Sequence, residues 1–356
     1  MVRPFPLRQV LLTIGLAVLS VLILASCSTP QTTFDPQSDA ASRIDTLYWL
    51  IIWAAILVGL GVLGALAYIL FRFRDRPGAE ALQIHGSTPL EISWTLLPIA
   101  VLIVIAIPTI LAIAGAAREP DDNALHVRAI GHQWWFEFEY EGLGPDGGPL
   151  VTANELYLPV GRQVSITLES VDVIHSFWVP QLLGKTDMIP NRVNRLEPFT
   201  PNEIDTYYGQ CAEFCGLAHA QMRFRTHVVS LGEFGRWVDA MNAGAAAPEA
   251  GTAEASGFQV FMLAGGCAGC HTIQGTDAQG QIGPDLTLFG DRTTVAAGIL
   301  PNTEENLRDW ISNVRAVKAL PDEGSMPTFN TGSPEDILTE QQVADVAAYL
   351  RSLRMN

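Results

Sequence analysis

A short stretch between residues 211 and 222 concentrates side chains that bind soft metals. It contains Cys211, Cys215, His219 and Met222, and a further histidine, His175, lies upstream in the sequence His-Ser-Phe-Trp-Val-Pro. Thiolate, imidazole and thioether groups favour copper or another thiophilic metal. Because the set exceeds what one blue-copper ion needs, it predicts a binuclear site with bridging thiolates. A closed tetrahedral zinc site is the alternative, and it leaves the methionine without a role.

A second redox motif follows at Cys267-Ala-Gly-Cys270-His271. The pattern Cys-x-x-Cys-His is typical of a covalently attached c-type haem, with two thioether bonds and the histidine as an axial iron ligand. Ser-Met326-Pro resembles the distal methionine loop of small class I cytochromes c, which makes Met326 the predicted second axial ligand. Met262 is the weaker candidate, because it precedes the motif on a predicted core helix.

The N-terminus has the features of an export signal. An apolar run, Val10–Leu24, follows Arg3 and Arg8, and Leu-Ala-Ser precedes Cys27. This arrangement predicts a lipoprotein-type signal peptide over residues 1–26, with Cys27 as the lipidated N-terminus. Ordinary cleavage or an uncleaved third helix are the alternatives. The other four cysteines belong to the metal and haem motifs, whereas a disulfide interpretation would pair four and leave the fifth alone.

Two apolar runs, Leu47–Phe71 and Ile92–Ala117, are each long enough to cross a bilayer as a helix. Basic residues crowd the far end of the first run, at Arg72, Arg74 and Arg76. By the positive-inside rule that end faces the cytoplasm, so everything after residue 118 faces the periplasm or cell exterior. The sequence therefore predicts a two-pass protein of the bacterial inner membrane.

The exported part is strongly acidic. Residues 118–356 carry 31 Asp and Glu against 15 Lys and Arg, whereas residues 1–117 carry six of each. Negative charge argues against nucleic acid as a partner and favours a basic protein partner.

Residues 118–240 are predicted to form one all-β domain. Trp134, Phe136, Phe138 and Tyr140 alternate with polar residues, as on a strand with one buried face. Pro and Gly separate further β-rich segments, which predicts a small antiparallel sandwich. No helical crossover patterns intervene, so a parallel α/β domain is not expected.

Three further segments complete the organisation. Residues 27–117 hold the N-terminal segment and the two helices, at about 47–71 and 92–117. Residues 241–256 have a linker composition that would let the attached domain move. Residues 257–356 are predicted to be all-α, and Tyr349 is expected to pack against the first helix of this domain. Its last helix has apolar residues at helical spacing: Val343, Val346, Ala347 and Leu350.

Several segments resemble subunit II of cytochrome c oxidase. They are Tyr207–Met222, Asp172–Pro180, Leu183–Pro190 and Gly131–Phe136. The resemblance covers both membrane helices and the β domain, which in this family is a cupredoxin-like Greek-key barrel. Subunits II of quinol oxidases share the fold but lack the copper ligands, all of which are present here.

The resemblance implies that Cys211 and Cys215 bridge the two coppers of a Cu-A centre. It also implies a magnesium site at the boundary with the catalytic subunit, reached by the side chain of Glu213. The remaining copper ligands would be His175, His219, Met222 and the backbone carbonyl of Glu213.

Two further residues have both a structural and a functional interpretation. Trp134 is either core packing or, as the resemblance implies, the exposed tryptophan where electrons enter Cu-A, with Trp135 as its packed neighbour. Glu91, at the start of the second membrane helix, either complements the helix dipole or lies near the entrance of a proton channel.

The chain resembles the caa-type arrangement, in which a cytochrome c is fused to subunit II. This implies electron flow from a soluble cytochrome c or a quinol-oxidising complex to the haem, to Cu-A and then to subunit I. Oxygen would be reduced to water there with proton translocation, since neither apolar run contains a histidine. Subunit III is a further expected partner. The alternatives are subunit II of a Cu-A-containing nitric oxide reductase and a free-standing membrane-anchored electron carrier.

Overall fold

The computed structural model describes residues 30–74, 85–322 and 324–355, together with residues 12, 15, 16, 19 and 78. The predicted lipidation site, Cys27, lies outside the described residues, as does most of the predicted signal peptide. Both stay predictions.

Two long apolar helices, α1 (Asp39–Arg72) and α2 (Thr88–Ala116), precede the globular part. At 34 and 29 residues they exceed the roughly 20 residues that span a bilayer, and their most apolar stretches are not buried by the described chain. Helix α1 begins well before the apolar run at Leu47, because the Ser38 side chain caps it. Asp39 in its first turn accepts a hydrogen bond from the backbone N–H of Thr200 at 2.7 Å. This bond links the start of α1 to the β domain.

The β domain is a sandwich of two five-stranded sheets. Its strands are β1 Leu125–His132, β2 Trp135–Tyr140, β3 Leu150–Ala153, β4 Glu155–Pro159, β5 Val164–Ser170, β6 His175–Trp178, β7 Thr186–Met188, β8 Asn194–Arg195, β9 Asp205–Cys211 and β10 Arg223–Val229. The sheet orders are β3-β2-β1-β5-β8 and β4-β10-β9-β6-β7.

The pairs β1–β5 and β4–β10 are parallel, and the other pairs in these two sheets are antiparallel. The all-β prediction is confirmed, but the expectation of a purely antiparallel sandwich is wrong for these two pairs. The chain crosses to the second sheet as β4 and returns as β5, which therefore runs in the same direction as β1.

Aromatic side chains fill the space between the sheets. Phe136, Phe138, Phe177 and Phe224 are fully buried, and the ring centroids of Phe136 and Phe224 lie 4.7 Å apart. The alternation predicted along β2 is confirmed, since its phenylalanines and Tyr140 are buried while the residues between them are half-buried. Each buried Phe contributes roughly 1.5–3 kcal/mol, which gives the strands around the metal ligands a rigid base.

A helix that the sequence did not reveal, α3 (Leu231–Ala243), closes the β domain. It begins with a capping box formed by Ser230 and Glu233. Its buried residues are Phe234, Trp237 and Met241. Because the last of these belongs to the β-domain core, the start of the predicted linker is in fact helix. The next helix, α4 (Ala253–Gln259), begins before the predicted linker ends, so residues 244–252 connect the two helices.

The C-terminal domain is mainly helical, as predicted. It contains α4, the strands β11 Thr294–Val295 and β12 Leu300–Pro301, and the helices α5 Glu304–Ser312, α6 Val314–Val317 and α7 Glu340–Ser352. In this domain a π-helical turn covers Val260–Ala264, and 3-10 turns cover Cys267–Gly269 and Phe289–Asp291. The β domain has two 3-10 turns of its own, at Pro145–Gly147 and His219–Gln221. The predicted apolar face of α7 is buried, and the ring of Tyr349 lies 5.4 Å from that of Phe258 in α4.

Candidate metal centre and haem cavity

The five side chains predicted to bind metal converge at one end of the β sandwich. His175 begins β6, Cys211 ends β9, and the loop from β9 to β10 carries Cys215, His219 and Met222. Cys211 Sγ lies 3.8 Å from Cys215 Sγ and 3.9 Å from His175 Nδ1. Cys215 Sγ lies 3.6 Å from His219 Nδ1 and 3.9 Å from Met222 Sδ. The donor atoms therefore surround one small space.

Asp172 and Gly131 orient the imidazole of His175. The ring is fully buried, and its Nε2 lies 2.8 Å from Asp172 Oδ1, which leaves Nδ1 towards the thiols. Gly131 of β1 lies against the ring, since a Cβ at this position would come within 2.7 Å of His175 Cδ2. A carboxylate on the far nitrogen fixes the tautomer and orientation of a ligating histidine. The sequence offered no separate signal for Asp172 beyond its place three residues before His175.

The two thiols do not ionise alike in the protein without metal. The contact with Cys215 lowers the pKa of Cys211, while the same contact and burial raise the pKa of Cys215. One thiolate is thus stabilised by the neighbouring thiol. Two thiolates at this distance require added positive charge, which a bound metal supplies.

The donor set fits a pair of copper ions better than one zinc ion. Both thiols, the His175 ring and the Met222 thioether are buried, as a site closed to water requires. The backbone oxygen of Glu213 lies 3.2 Å from Cys211 Sγ and adds a sixth donor. Six donors exceed the four of a closed tetrahedral zinc site, and a thioether is a soft ligand that suits copper.

Trp134 connects this loop to the second candidate site. Its indole Nε1 donates to the backbone oxygen of Cys215 at 2.9 Å, and the Gln133 side chain donates to the same oxygen at 2.8 Å. Trp134 is only 7% exposed, in contrast to the exposed tryptophan that the family resemblance implied, because the C-terminal domain covers it. Trp135 stacks on His132 with ring centroids 4.0 Å apart.

A cavity of about 400 Å³ in the C-terminal domain contains the predicted haem ligands. Cys267, Cys270, His271 and Met326 all line it, whereas Met262 is not among its lining residues. The rest of the wall is largely apolar, with Phe261, Leu286, Leu307, Ile311, Phe329, Val346 and Leu350. Two thiols, an imidazole and a thioether around an apolar cavity are the groups that a covalently bound haem requires.

The geometry around His271 suits axial ligation. Its Nδ1 lies 2.8 Å from the backbone oxygen of Pro284, so Nδ1 carries the proton and Nε2 keeps a free lone pair. Burial lowers the pKa of His271, which keeps the imidazole neutral as a ligand must be. Gly283 allows the close approach, since a Cβ there would lie 2.6 Å from His271 Cε1.

The cavity wall is shared between the two domains. Gln133, Trp134 and Trp135 of the β domain line it together with Lys318, which follows α6. Lys318 is 3% exposed, and its Nζ donates to the backbone oxygen of Trp134 at 2.6 Å. Burial lowers the pKa of Lys318 to about 7. A lone lysine between Val317 and Ala319 gives no sequence signal for this position, and we did not predict it.

Glu91 lies apart from both sites. It is an exposed residue in the first turn of α2, at the end of the helix remote from the β domain. A 29-residue helix is about 44 Å long, so the length of α2 separates Glu91 from the β domain.

Comparison with known proteins gives matches along nearly the whole chain. Three sequence families match: "Cytochrome C oxidase subunit II, transmembrane domain" over residues 26–111, "Cytochrome C oxidase subunit II, periplasmic domain" over residues 147–229, and "Cytochrome c" over residues 254–354.

Similar curated proteins include cytochrome c oxidase subunit 2 of Alkalihalophilus pseudofirmus, which is 36% identical over 332 residues and 91% of each chain. The protein of the same name from Bacillus sp. (strain PS3) is 33% identical over 301 residues and 80% of each chain. Among solved structures, the periplasmic domain of subunit II of cytochrome oxidase of Bradyrhizobium japonicum is 31% identical. It covers 33% of this chain and 94% of its own, with a TM-score of 0.31.

Proposed function

This chain belongs to the cytochrome c oxidase subunit II family and carries a cytochrome c domain, and on that basis we propose the roles of its residues in electron transfer. The family implies a Cu-A centre and a haem c, and subunit I of a haem–copper oxidase as partner. When bound, both groups serve as one-electron carriers. The observation that carries the proposal is the cavity wall: Trp134 lines the haem cavity and donates a hydrogen bond to the copper loop.

In the β domain, Cys211 and Cys215 would hold the copper pair as thiolates. His175, His219, Met222 and the backbone oxygen of Glu213 complete the ligand set. Asp172 keeps the Nδ1 of His175 aimed at the thiols, and burial keeps water away from the donors. In this proposal the Glu213 carboxylate is free to bind magnesium at the boundary with subunit I.

In the C-terminal domain, Cys267 and Cys270 attach the haem, and His271 and Met326 ligate its iron. Pro284 holds the proton of His271 on Nδ1. Trp134 and Gln133 place two hydrogen-bonded side chains between this cavity and the backbone of Cys215. Bound in these two sites, the haem and the copper pair would supply one-electron transfer across this wall towards subunit I, where oxygen is reduced to water with proton translocation.

Large apolar side chains surround the copper loop and mark the face that meets subunit I. Phe214 is 75% exposed and Leu217 is 63% exposed, and Val171 and Ile174 are exposed near the Asp172–His175 turn. Exposed apolar residues of this size mark interaction sites. Subunit III and either a soluble cytochrome c or a quinol-oxidising complex are further partners.

The two apolar helices support a two-pass membrane arrangement. We place the β domain and the C-terminal domain on the periplasmic or extracellular side, with residues 1–26 as a signal peptide and Cys27 as a lipid anchor. Residues 118–243 form the Cu-A domain and residues 253–356 the cytochrome c domain. Glu91 then lies at the cytoplasmic surface, near the entrance of a proton channel in subunit I.

Oxygen uptake by the detergent-purified complex, driven by ascorbate and a small redox mediator, tests this function. We expect fast uptake that cyanide inhibits. A complex that retains its large subunit, takes up no oxygen and reduces nitric oxide would contradict the oxidase assignment.

A further inference from the structure

The carboxylate of Glu155 lies where the two domains meet. Glu155 begins β4 and is 1% exposed. Its Oε1 accepts hydrogen bonds from the backbone N–H of Thr293 at 2.8 Å and of Thr294 at 2.9 Å. The hydroxyls of the same two threonines donate to Oε1 at 2.9 and 3.0 Å. All four donors come from the C-terminal domain.

The second oxygen of this carboxylate is held from within the β domain. His227 Nε2 lies 2.9 Å from Glu155 Oε2, and His227 Nδ1 lies 3.0 Å from Thr206 Oγ1. Arg292, next to the paired threonines, is also buried and adds a nearby positive charge. A buried carboxylate is costly unless it is paired and hydrogen-bonded. Most of the hydrogen bonds that satisfy Glu155 therefore depend on the docked C-terminal domain.

Strand β10, which pairs with β4, extends the same contact. Arg223 N donates to the backbone oxygen of Ala297 at 3.1 Å, and the Arg225 guanidinium donates to that of Gly298 at 3.2 Å. Residues 294–297 also line the haem cavity, on which Trp134 and Trp135 border. The segment that Glu155 holds is thus part of the cavity wall.

We propose that Glu155 is a positioning residue, which holds the C-terminal domain on the β domain so that its haem cavity is fixed against Trp134. The effect on electron transfer rests on the proposed function, whereas the docking itself does not. In the wild-type protein the backbone N–H groups of Thr293 and Thr294 donate to the buried Glu155 carboxylate. Residues 292–299 therefore form a stable contact with the β domain rather than a transient one.

The test compares Glu155→Ala with wild type in the full purified complex. Hydrogen–deuterium exchange of the peptide covering residues 292–299 reports docking directly. We expect exchange there to be about tenfold faster or more, since a hydrogen bond to a charged group is worth roughly one order of magnitude in an equilibrium constant. Rapid photoreduction of the haem reports the second effect: its reoxidation by the copper centre should slow, with the absorption bands of both centres unchanged.

Glu139→Ala is the matched control, because the Glu139 carboxylate is partly buried but pairs with Arg128 inside the β domain. Exchange and electron transfer in Glu155→Ala that equal those of this control would overturn the proposal. If Glu155→Ala loses its copper bands, the double variant Thr293→Val, Thr294→Val replaces it in the test. This variant leaves Glu155 in place and removes the two threonine hydroxyls that donate to its carboxylate. Unchanged exchange and unchanged transfer in the double variant would overturn the proposal.

The two claims can fail separately. A wild-type complex without haem-to-copper transfer would overturn the proposed function. Faster exchange at residues 292–299 in Glu155→Ala would still support the docking role, because it needs no redox turnover.

Discussion

Replacing Lys318 with methionine should remove a pH dependence from the stability of the C-terminal domain. The Lys318 amine is buried at the domain contact, and burial lowers its pKa from the ordinary 10.5 to about 7. The difference corresponds to roughly 4–5 kcal/mol between the charged and neutral amine. Unfolded, the lysine binds a proton up to about pH 10, whereas in the folded protein it releases that proton above about pH 7.

The sign follows from this difference in bound protons. Between pH 7 and about 10 the unfolded state binds more protons, so the free energy of unfolding rises with pH in the wild type. Below about pH 7 the full cost of the buried charge is present and the dependence levels off. Methionine fills similar space without a charge. It loses the hydrogen bond to the Trp134 oxygen, worth about 1 kcal/mol. Lys318→Met should therefore be more stable than wild type at pH 7 and lose this advantage by about pH 10.

Urea titrations of the purified complex, followed by haem absorption at several pH values from 6.5 to about 10, measure the two curves. Lys185→Met, a substitution at a lysine of the β domain that is not buried, is the control for the removal of one positive charge. Parallel curves for Lys318→Met and wild type would refute the reasoning, because they would mean that the amine keeps its ordinary pKa.

Three further substitutions test the sites and the core. Met222→Leu should keep copper bound but shift the absorption bands and the reduction potential, because the thioether is the weakest ligand; loss of copper by metal analysis would contradict this role. Met326→Ala should leave the haem covalently attached but lower its potential in a redox titration, and an unchanged potential would transfer the ligand role to another residue. Phe224→Ala should lower the free energy of unfolding of the β domain by about 3–5 kcal/mol in urea titrations. A loss below about 1 kcal/mol would show that the cluster around Phe136 is not the core.

The candidate ligands on the copper loop and in the haem motif could be predicted from the sequence because each set is local. Cys211, Cys215, His219 and Met222 lie on one loop, so spacing alone brings them close, and Cys267 to His271 form one continuous motif. Alternation along β2 similarly predicted the buried Phe136, because a strand has a period of two.

The parts of the fold and of the sites that were not predicted depend on contacts between segments that are distant in the sequence. Lys318 meets Trp134 across 184 positions, and Glu155 meets Thr293 across 138. No local pattern encodes such pairs. Helix α3 was missed because its apolar residues are spaced among glycines and polar residues just before a linker-like composition. The parallel pairing of β1 and β5 also escaped prediction, since it depends on how the chain crosses between sheets.

The short connection between α3 and α4 affects how other proteins compete for Trp134, which the C-terminal domain covers. A flexible coil of residues 244–252 would span about 17 Å, which keeps an undocked C-terminal domain at an effective concentration in the millimolar range. A free cytochrome at micromolar concentration would therefore compete poorly with the attached C-terminal domain for the β-domain surface around Trp134. Saturation of turnover with increasing donor would therefore measure how the donor binds the haem-bearing domain. A soluble protein without redox activity that covers only the β-domain surface would be a poor inhibitor.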